Sequence, residues 1–199
     1  MKYGNPPEDL GVVLATCDEM MHYQCLPIKL INTTEYRIPK RLQWVKPMLD
    51  RIPFPENKYV YLTVRNTFIT KGFSGSRPGW HSDGFLTNDI SYIWSDCLPT
   101  EFAIQEFSID ENCNDSLRQF DEQYCPMNVT HYDNKSLLKL DSSVIHRPAN
   151  NFDIEGLRAF VKISVSSDRY NLYGNSHNHL LDYKWGMIQR NEGRNHQKG

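Results

Sequence analysis

Short apolar runs separated by glycine, proline and asparagine dominate the chain from residue 58 onward. The runs are rich in β-branched and aromatic residues, which is typical of β-strands. Short strands joined by such turns favour a β-sandwich or a β-barrel. The pattern therefore predicts a mainly β fold with minor helix, and we predict its strands at residues 59–65, 90–94, 100–109, 137–140, 144–146 and 158–165.

The rest of the chain has a less regular pattern. Residues 1–40 mix apolar and polar positions without a clean period, and the helical spacing of residues 41–52 is interrupted by Pro47. Residues 112–124 indicate a short polar helix or a loop excursion. We expect a single domain made of three parts: an N-terminal helical or irregular support segment at residues 1–57, a β core at residues 58–189, and a polar tail at residues 190–199.

Composition narrows the classes of function. The formal net charge of -2 provides no broad cationic field for nucleic acid, although a local patch would suffice for a nucleobase. No run approaches the ~18 apolar residues that a membrane-spanning helix needs, and the N-terminus does not resemble a signal peptide. The five cysteines have no C-x-x-C spacing, so we expect free thiols in a reducing cytoplasm.

The strongest chemical signal is a set of three possible metal ligands. His81 and Asp83 are two positions apart, so on a strand both side chains leave the same face. His146 follows Asp83 by 63 positions and lies on another predicted strand. Two imidazoles and one carboxylate suit iron(II) and leave open coordination positions. The alternative is that His81 is a surface histidine and that Asp83 forms a turn before Gly84.

A cationic strand face follows the second histidine. Arg158 lies 12 positions after His146, at the start of the last predicted strand, and it shares a face with Phe160, Lys162 and Ser164. A cation inside a small barrel needs an anionic partner, which a ligand carboxylate would supply. The alternative is a solvated edge on which Arg158 and Lys162 are ordinary surface charges.

These residues resemble the motifs of the iron(II)/2-oxoglutarate-dependent dioxygenases over roughly residues 58–168. The family pattern is H-x-D, a distal histidine, and a basic residue about ten positions later that begins the next strand. In this sequence it corresponds to His81-Ser82-Asp83, His146 and Arg158.

The resemblance implies a double-stranded β-helix (a jelly-roll, cupin-like fold) that binds iron(II), 2-oxoglutarate and O₂. It assigns the iron to His81, Asp83 and His146, and the far carboxylate of 2-oxoglutarate to Arg158. Lys162, with Ser164, resembles a variant of that anchor and is the second candidate. Tyr92, and after it Trp94, would be the polar residue that reaches the co-substrate from the strand after H-x-D.

The implied activity is that of an oxygenase, most simply a hydroxylase, which couples the oxidative decarboxylation of 2-oxoglutarate to succinate with oxidation of a C–H bond. Small metabolites, amino acids, nucleobases and protein side chains all stay open as substrates. Two alternatives stay open as well: a cupin-like metal enzyme that does not use 2-oxoglutarate, and a non-catalytic jelly-roll protein that binds a partner or is structural.

Several further residues have both a functional and a structural interpretation. Trp80, Phe85 and Trp94 either form the wall of a substrate pocket or pack in the core. His177 and His179 either form a surface loop or contribute to a substrate lip or a second metal site. Four cations are either scattered over the surface or gathered at the mouth of the site, where they would bind an anionic substrate: Arg65, Lys71, Arg77 and Arg147.

Overall fold

The computed structural model describes residues 2–76, 78–110 and 115–190. Three sequence-based expectations fall wholly or partly outside these ranges. They concern Arg77, the first residues of the predicted helix at 112–124, and residues 191–199 of the predicted polar tail.

The described residues form a mainly β structure with two antiparallel sheets. The larger sheet has six strands in the order β1-β8-β5-β10-β3-β2, and the smaller has four in the order β4-β9-β6-β7. The mainly β fold class predicted from the sequence is confirmed. The strands are β1 (Glu8–Val12), β2 (Met21–Lys29), β3 (Tyr59–Ile69), β4 (His81–Ser82), β5 (Ile90–Ser95), β6 (Glu101–Ala103), β7 (Val129–His131), β8 (Ser136–Leu140), β9 (Ile145–Arg147) and β10 (Gly156–Ser166).

The eight strands from β3 to β10 pair in a nested order. The first pairs with the last (β3 with β10), the second with the second last (β4 with β9), and so on inward through β5 with β8 and β6 with β7. Because of this nesting, β4 and β9 are neighbours although more than sixty residues separate them. The pairing therefore brings the predicted H-x-D segment beside the predicted distal histidine.

Alternation along β10 separates an apolar face from a polar one. Ala159, Val161 and Ile163 are buried in a core cluster with residues of the N-terminal segment. The intervening residues, which include Lys162, point toward the smaller sheet and line a cavity. The long central strand thus supplies hydrophobic packing on one side and cationic groups on the other.

The N-terminal segment contributes more to the sheet than the sequence indicated. Residues 1–57 were expected to be helical or irregular, but β1 and β2 form the two edges of the larger sheet. In β2 the pairing register shifts between Tyr23 and Leu26, and Cys25 adopts a φ of 46°. This irregularity removes the strict alternation by which a strand is recognised.

The helices are short. A 3₁₀ helix at Lys40–Val45 leads into α1 (Lys46–Leu49), and Pro47 lies in the first turn of α1, where a missing N–H costs little, rather than interrupting it. The described part of the predicted segment 112–124 contains α2 (Ser116–Gln123), which confirms a helix there. A further 3₁₀ turn covers Pro126–Asn128. None of the described helices has the length and apolarity to cross a membrane.

The smaller sheet differs from the expected strand lengths. The strand predicted at residues 100–109 covers only Glu101–Ala103, and β7 was not predicted. Between the sheets, Ile93, Leu138 and Leu140 of the larger sheet pack with Phe102 and Val144. This inter-sheet cluster borders the cavity, whose lining includes Ile93.

Candidate metal centre

The two predicted histidine ligands lie opposite each other on adjacent strands. His81 on β4 is the direct cross-strand partner of His146 on β9. Residues directly opposite in an antiparallel pair have Cβ atoms about 5 Å apart. The two imidazole centroids are accordingly 4.4 Å apart.

The carboxylate joins the histidines on the same face. Asp83 directly follows the end of β4, and Ser82, between it and His81, donates a hydrogen bond to the Ser142 carbonyl at 2.6 Å. Asp83 Oδ2 lies 3.6 Å from His146 Nε2. Two atoms that are each ~2.1 Å from a common ion can be at most ~4.2 Å apart, and the Asp83–His146 pair meets this limit. One potential ligand atom from each of the three residues lies within 4.8 Å of the others. The structure therefore brings together the three residues that the sequence predicted.

Backbone carbonyls orient both imidazoles. His81 Nδ1 is 3.0 Å from the Gly79 carbonyl, and His146 Nδ1 is 3.3 Å from the Val144 carbonyl. When each Nδ1 carries the proton and donates it to its carbonyl, each Nε2 has a lone pair for a metal. This arrangement is the one usually found around histidines that bind metal ions in proteins.

The electrostatics give two of the candidate ligands, His81 and Asp83, the protonation states that a cation requires. Burial lowers the pKa of His81 to about 4, and the neighbouring His146 adds to that effect. Burial on its own would raise the pKa of Asp83, but the opposing effects, of which the charge of Lys162 is the largest, outweigh burial and hold that pKa well below its usual value. The site therefore presents a neutral His81 imidazole and an ionised carboxylate at neutral pH.

Lys162 is a direct partner of the candidate ligand carboxylate. Its Nζ lies 3.0 Å from Asp83 Oδ1, and the two side chains are only 13% and 16% exposed. Burial would lower the pKa of Lys162, but the Asp83 charge outweighs burial and raises it. The ammonium group therefore neutralises one oxygen of Asp83 and leaves Oδ2 facing His146.

Arg158 is buried at another part of the same cavity. It is 4% exposed, and its Nε and Nη2 donate to the carbonyls of Cys97 and Leu98 at 3.1 and 3.0 Å. Within residues 2–76, 78–110 and 115–190, no carboxylate forms an ion pair with it. Burial lowers the pKa of its guanidinium from the usual value, which reflects the cost of keeping this charge away from water.

A cavity of ≈ 740 Å³ connects these groups. This volume lies in the range of sites that bind small molecules. Both sheets contribute side chains to the lining. Among the predicted site residues, the lining includes the three candidate ligands and also Trp80, Phe85, Arg158, Lys162 and Ser164.

Trp80 and Phe85 line the cavity and also belong to a packed cluster. The Arg147 guanidinium lies over the Trp80 indole, with its Cζ 4.4 Å from the centroid of the indole ring. Phe85 stacks on Tyr3, and the centroids of these two rings are 5.5 Å apart. Arg147 is further held by Glu101 at 2.7 Å. Trp80 and Phe85 therefore pack in a core, and both also border the cavity.

The expectation for Tyr92 and Trp94 is wrong in orientation. Both side chains point to the outer face of the larger sheet and pack with the N-terminal segment, where Trp94 Nε1 donates to the Val13 carbonyl at 3.0 Å. Ser91 and Ile93, the alternate residues of β5, line the cavity instead. The sequence did not show which of the two alternating sets faces inward, because both contain apolar residues.

The two exposed histidines of the C-terminal segment do not border this cavity. His177 and His179 stand 4.7 Å apart by ring centroid and pack beside Tyr183. This segment also packs on the larger sheet, where Tyr170 stacks on Tyr61 at 4.1 Å.

Sequence reasoning missed several residues that shape the site. Asp121 of α2 accepts a hydrogen bond from the Trp80 backbone N–H at 3.1 Å and so fixes the segment that enters β4. No local pattern connects these two residues, which are 41 positions apart. Thr63 of β3 was missed as well; it lines the cavity on the same strand face as Arg65, one of the four cations considered from the sequence for the mouth of the site.

Neither a protein-family model, nor a curated protein, nor a solved structure matches this chain. The assignment of a function therefore depends on the geometry and the chemistry of the site.

Proposed function

We propose that this protein is an iron(II)- and 2-oxoglutarate-dependent oxygenase, most simply a hydroxylase. The observation that carries the proposal is the convergence of His81, Asp83 and His146 in one cavity that Arg158 also lines. Two imidazoles and a carboxylate with open positions form the ligand set of non-haem iron(II) oxygenases.

The strand order supports the double-stranded β-helix that this function expects. A jelly roll has eight strands in two sheets, as if one long hairpin were wrapped around a barrel. The nested pairs from β3–β10 inward to β6–β7 have this order, and the pairs alternate between the larger and the smaller sheet. We therefore propose a jelly roll, extended at its edges by β1 and β2.

The side chains have separable roles in this proposal. His81, Asp83 and His146 hold the ion, and Lys162 keeps Asp83 ionised and correctly placed. Arg158 binds the far carboxylate of 2-oxoglutarate, for which a guanidinium provides paired donors. When bound, iron(II) with 2-oxoglutarate would supply the activation of O₂, with succinate and carbon dioxide as co-products. Phe160 and Ile93 supply apolar surface to the lining of that cavity.

An anaerobic titration tests the proposal directly. Iron(II) is added first and 2-oxoglutarate second, while the visible spectrum is recorded. The chelate of the keto acid on iron(II) gives a weak charge-transfer band, which we expect only when both are present. Succinate formed in air without added substrate provides a second readout.

His146→Ala and His131→Ala are a matched pair for this experiment. His131 is exposed on β7, away from the cavity. We expect His146→Ala to abolish the band and to lower succinate formation by at least about 100-fold, because a ligand is lost. His131→Ala should behave as the parent protein does. Equal bands in the two variants would refute the proposal.

A second candidate is a metal enzyme of similar architecture that does not use 2-oxoglutarate. It is favoured by the hydrogen bonds of Arg158, whose Nε and Nη2 are already engaged by carbonyls. In that case Arg158→Gln would alter stability but no spectrum, and adding 2-oxoglutarate to the iron-loaded parent would give no band. The cytoplasmic location stays a prediction.

A further inference from the structure

Two guanidinium groups are held side by side at the cavity. Arg65 Nη1 donates to the Gly75 carbonyl at 3.1 Å, and Arg158 Nη1 lies 3.5 Å from the carbonyl of the preceding residue, Ser74. Consecutive residues are only ~3.8 Å apart along the chain. One loop therefore brings two cations from different strands close together, and both line the cavity.

Arg65 has donor capacity that the protein does not use. Its only described hydrogen bond is the one to Gly75, and its Nε is buried without a partner. Within the described ranges, no carboxylate forms an ion pair with it. Burial lowers the pKa of this guanidinium, so the charge is held at a desolvation cost that an anion would offset.

The neighbouring carboxylates are engaged elsewhere. Asp83 is bound by Lys162, and Asp96 accepts a hydrogen bond from the Ala159 backbone N–H at 2.9 Å. Asp121, on the cavity wall, accepts the Trp80 backbone N–H. These contacts leave Arg65 and Arg158 as two positive groups that face the same cavity.

The proposed co-substrate does not account for both cations. One carboxylate of 2-oxoglutarate would be at the metal and the other at Arg158. Asp83 and the first carboxylate together balance the two positive charges of the ion. Lys162 then shares the negative charge of Asp83 with the ion, and the positive charge of Arg65 has no counter-charge. The cavity of ≈ 740 Å³ is also larger than a five-carbon dicarboxylate requires.

We propose that Arg65 anchors the substrate, and that the substrate is a small molecule with an anionic oxygen group, a carboxylate or a phosphate ester. This inference rests on the proposed function, because it assigns 2-oxoglutarate to Arg158. Arg65 on β3 is the cross-strand partner of Phe160, whose neighbour two positions away is Lys162. An anion at Arg65 thus places the attached molecule beside the metal-ligating face.

Inorganic phosphate is the probe for this site. Its dissociation constant is measured calorimetrically on the protein loaded with Mn(II) and 2-oxoglutarate under nitrogen, and again on the metal-free protein. The variants are Arg65→Gln, the charge-preserving Arg65→Lys, and Arg51→Gln. Arg51 is exposed at the end of α1, so it provides the same chemical change away from the cavity.

We expect phosphate binding to the loaded protein to weaken at least tenfold in Arg65→Gln, and to change less than threefold in Arg65→Lys and in Arg51→Gln. Binding of 2-oxoglutarate should be unchanged in Arg65→Gln. A loss of 2-oxoglutarate binding in Arg65→Gln would overturn the inference, because Arg65 would then belong to the co-substrate site. Phosphate binding that is indifferent to Arg65→Gln would overturn it as well.

The metal-free measurement separates this inference from the proposed function. If the parent binds neither Mn(II) nor 2-oxoglutarate, the proposed function fails. If metal-free Arg65→Gln binds phosphate at least tenfold more weakly than the metal-free parent, an anion site at Arg65 is still supported. Equal phosphate binding in the two metal-free proteins would refute such a site.

Discussion

His81 and His146 are direct cross-strand partners, although 64 intervening residues separate them in the chain. Their rings lie 4.4 Å apart, and each Nδ1 faces the backbone carbonyl of the residue two positions earlier in the chain. The strand register alone therefore produces the juxtaposition. A single-residue slip of β4 against β9 would turn one of the histidines to the other face.

Metal binding should stabilise the protein through Asp83. A ligand that binds only the folded state raises stability in proportion to the logarithm of its concentration over its dissociation constant. We expect Mn(II) to raise the melting temperature of the parent, and Asp83→Asn to weaken Mn(II) binding by at least about 100-fold. Calorimetry and thermal unfolding measure both effects.

Asp153→Asn is the control for that prediction. Asp153 is exposed, so the substitution makes the same chemical change outside the site. It should leave Mn(II) affinity within about twofold of the parent. Equal Mn(II) affinity in Asp83→Asn and the parent would exclude the three residues as the metal centre.

Lys162→Met should destabilise the metal-free protein more than the metal-bound one. Removal of one partner of a buried pair leaves an uncompensated charge on Asp83, which costs about 3 kcal/mol. A bound cation supplies the missing positive charge, so we expect the deficit to shrink when Mn(II) is present. Urea unfolding with and without Mn(II) gives both values.

The exposed pair of Lys139 and Glu8, 2.7 Å apart, provides the comparison. Lys139→Met should cost less than about 1 kcal/mol, with or without metal. If Lys162→Met loses as little free energy of unfolding as Lys139→Met does, Lys162 does not neutralise the charge of Asp83 in the way we describe.

The sequence was informative where alternation and motif spacing act together. The apolar and polar faces of β10 were readable from Ala159 to Ser164, and the spacing of His81 and Asp83 matches their common face in the structure. These features depend on the period of two along a strand. The mainly β class followed from a different signal, namely short runs rich in β-branched and aromatic residues between turn residues.

Other features depend on tertiary packing and left no such signal. β2 was not recognised because a register shift near Cys25 breaks its alternation. Tyr92 was assigned to the wrong face because the N-terminal segment covers the outer side of the sheet with its own apolar residues. Asp121 reaches the site from a helix whose position no local pattern specifies.

Trp94 and Ile93 of β5 point to opposite faces of the larger sheet, which allows a test of which face borders the cavity. Trp94→Phe removes the hydrogen bond to the Val13 carbonyl and should lower stability by about 1 kcal/mol or more. Because Trp94 faces away from the cavity, binding of Mn(II) and 2-oxoglutarate should stay within about twofold of the parent. Ile93→Asn, on the inward face and in the buried inter-sheet cluster, should lower stability too, and it should also weaken 2-oxoglutarate binding. Unfolding curves and binding isotherms of both variants test this contrast, and the opposite ranking would contradict the orientation.

Gly84 begins the turn that follows the candidate ligand Asp83, and it should not tolerate a side chain. Its φ is +67°, and an added Cβ would lie 2.8 Å from Thr87 Oγ1 and 2.9 Å from the Asp89 Cβ. Gly84→Ala therefore combines left-handed strain with a clash, and we expect a loss of about 2–3 kcal/mol together with weaker Mn(II) binding.

Gly72→Ala isolates the strain from the clash. Gly72 has a φ of +79°, but an added Cβ would meet no atom within 4 Å. Its loss of stability should be about 1 kcal/mol, with Mn(II) affinity unchanged. If both variants lose the same stability and keep full Mn(II) affinity, the turn at Gly84 does not position Asp83. If only Gly84→Ala loses affinity, the tight packing of Thr87 and Asp89 against this turn is what holds the carboxylate in place.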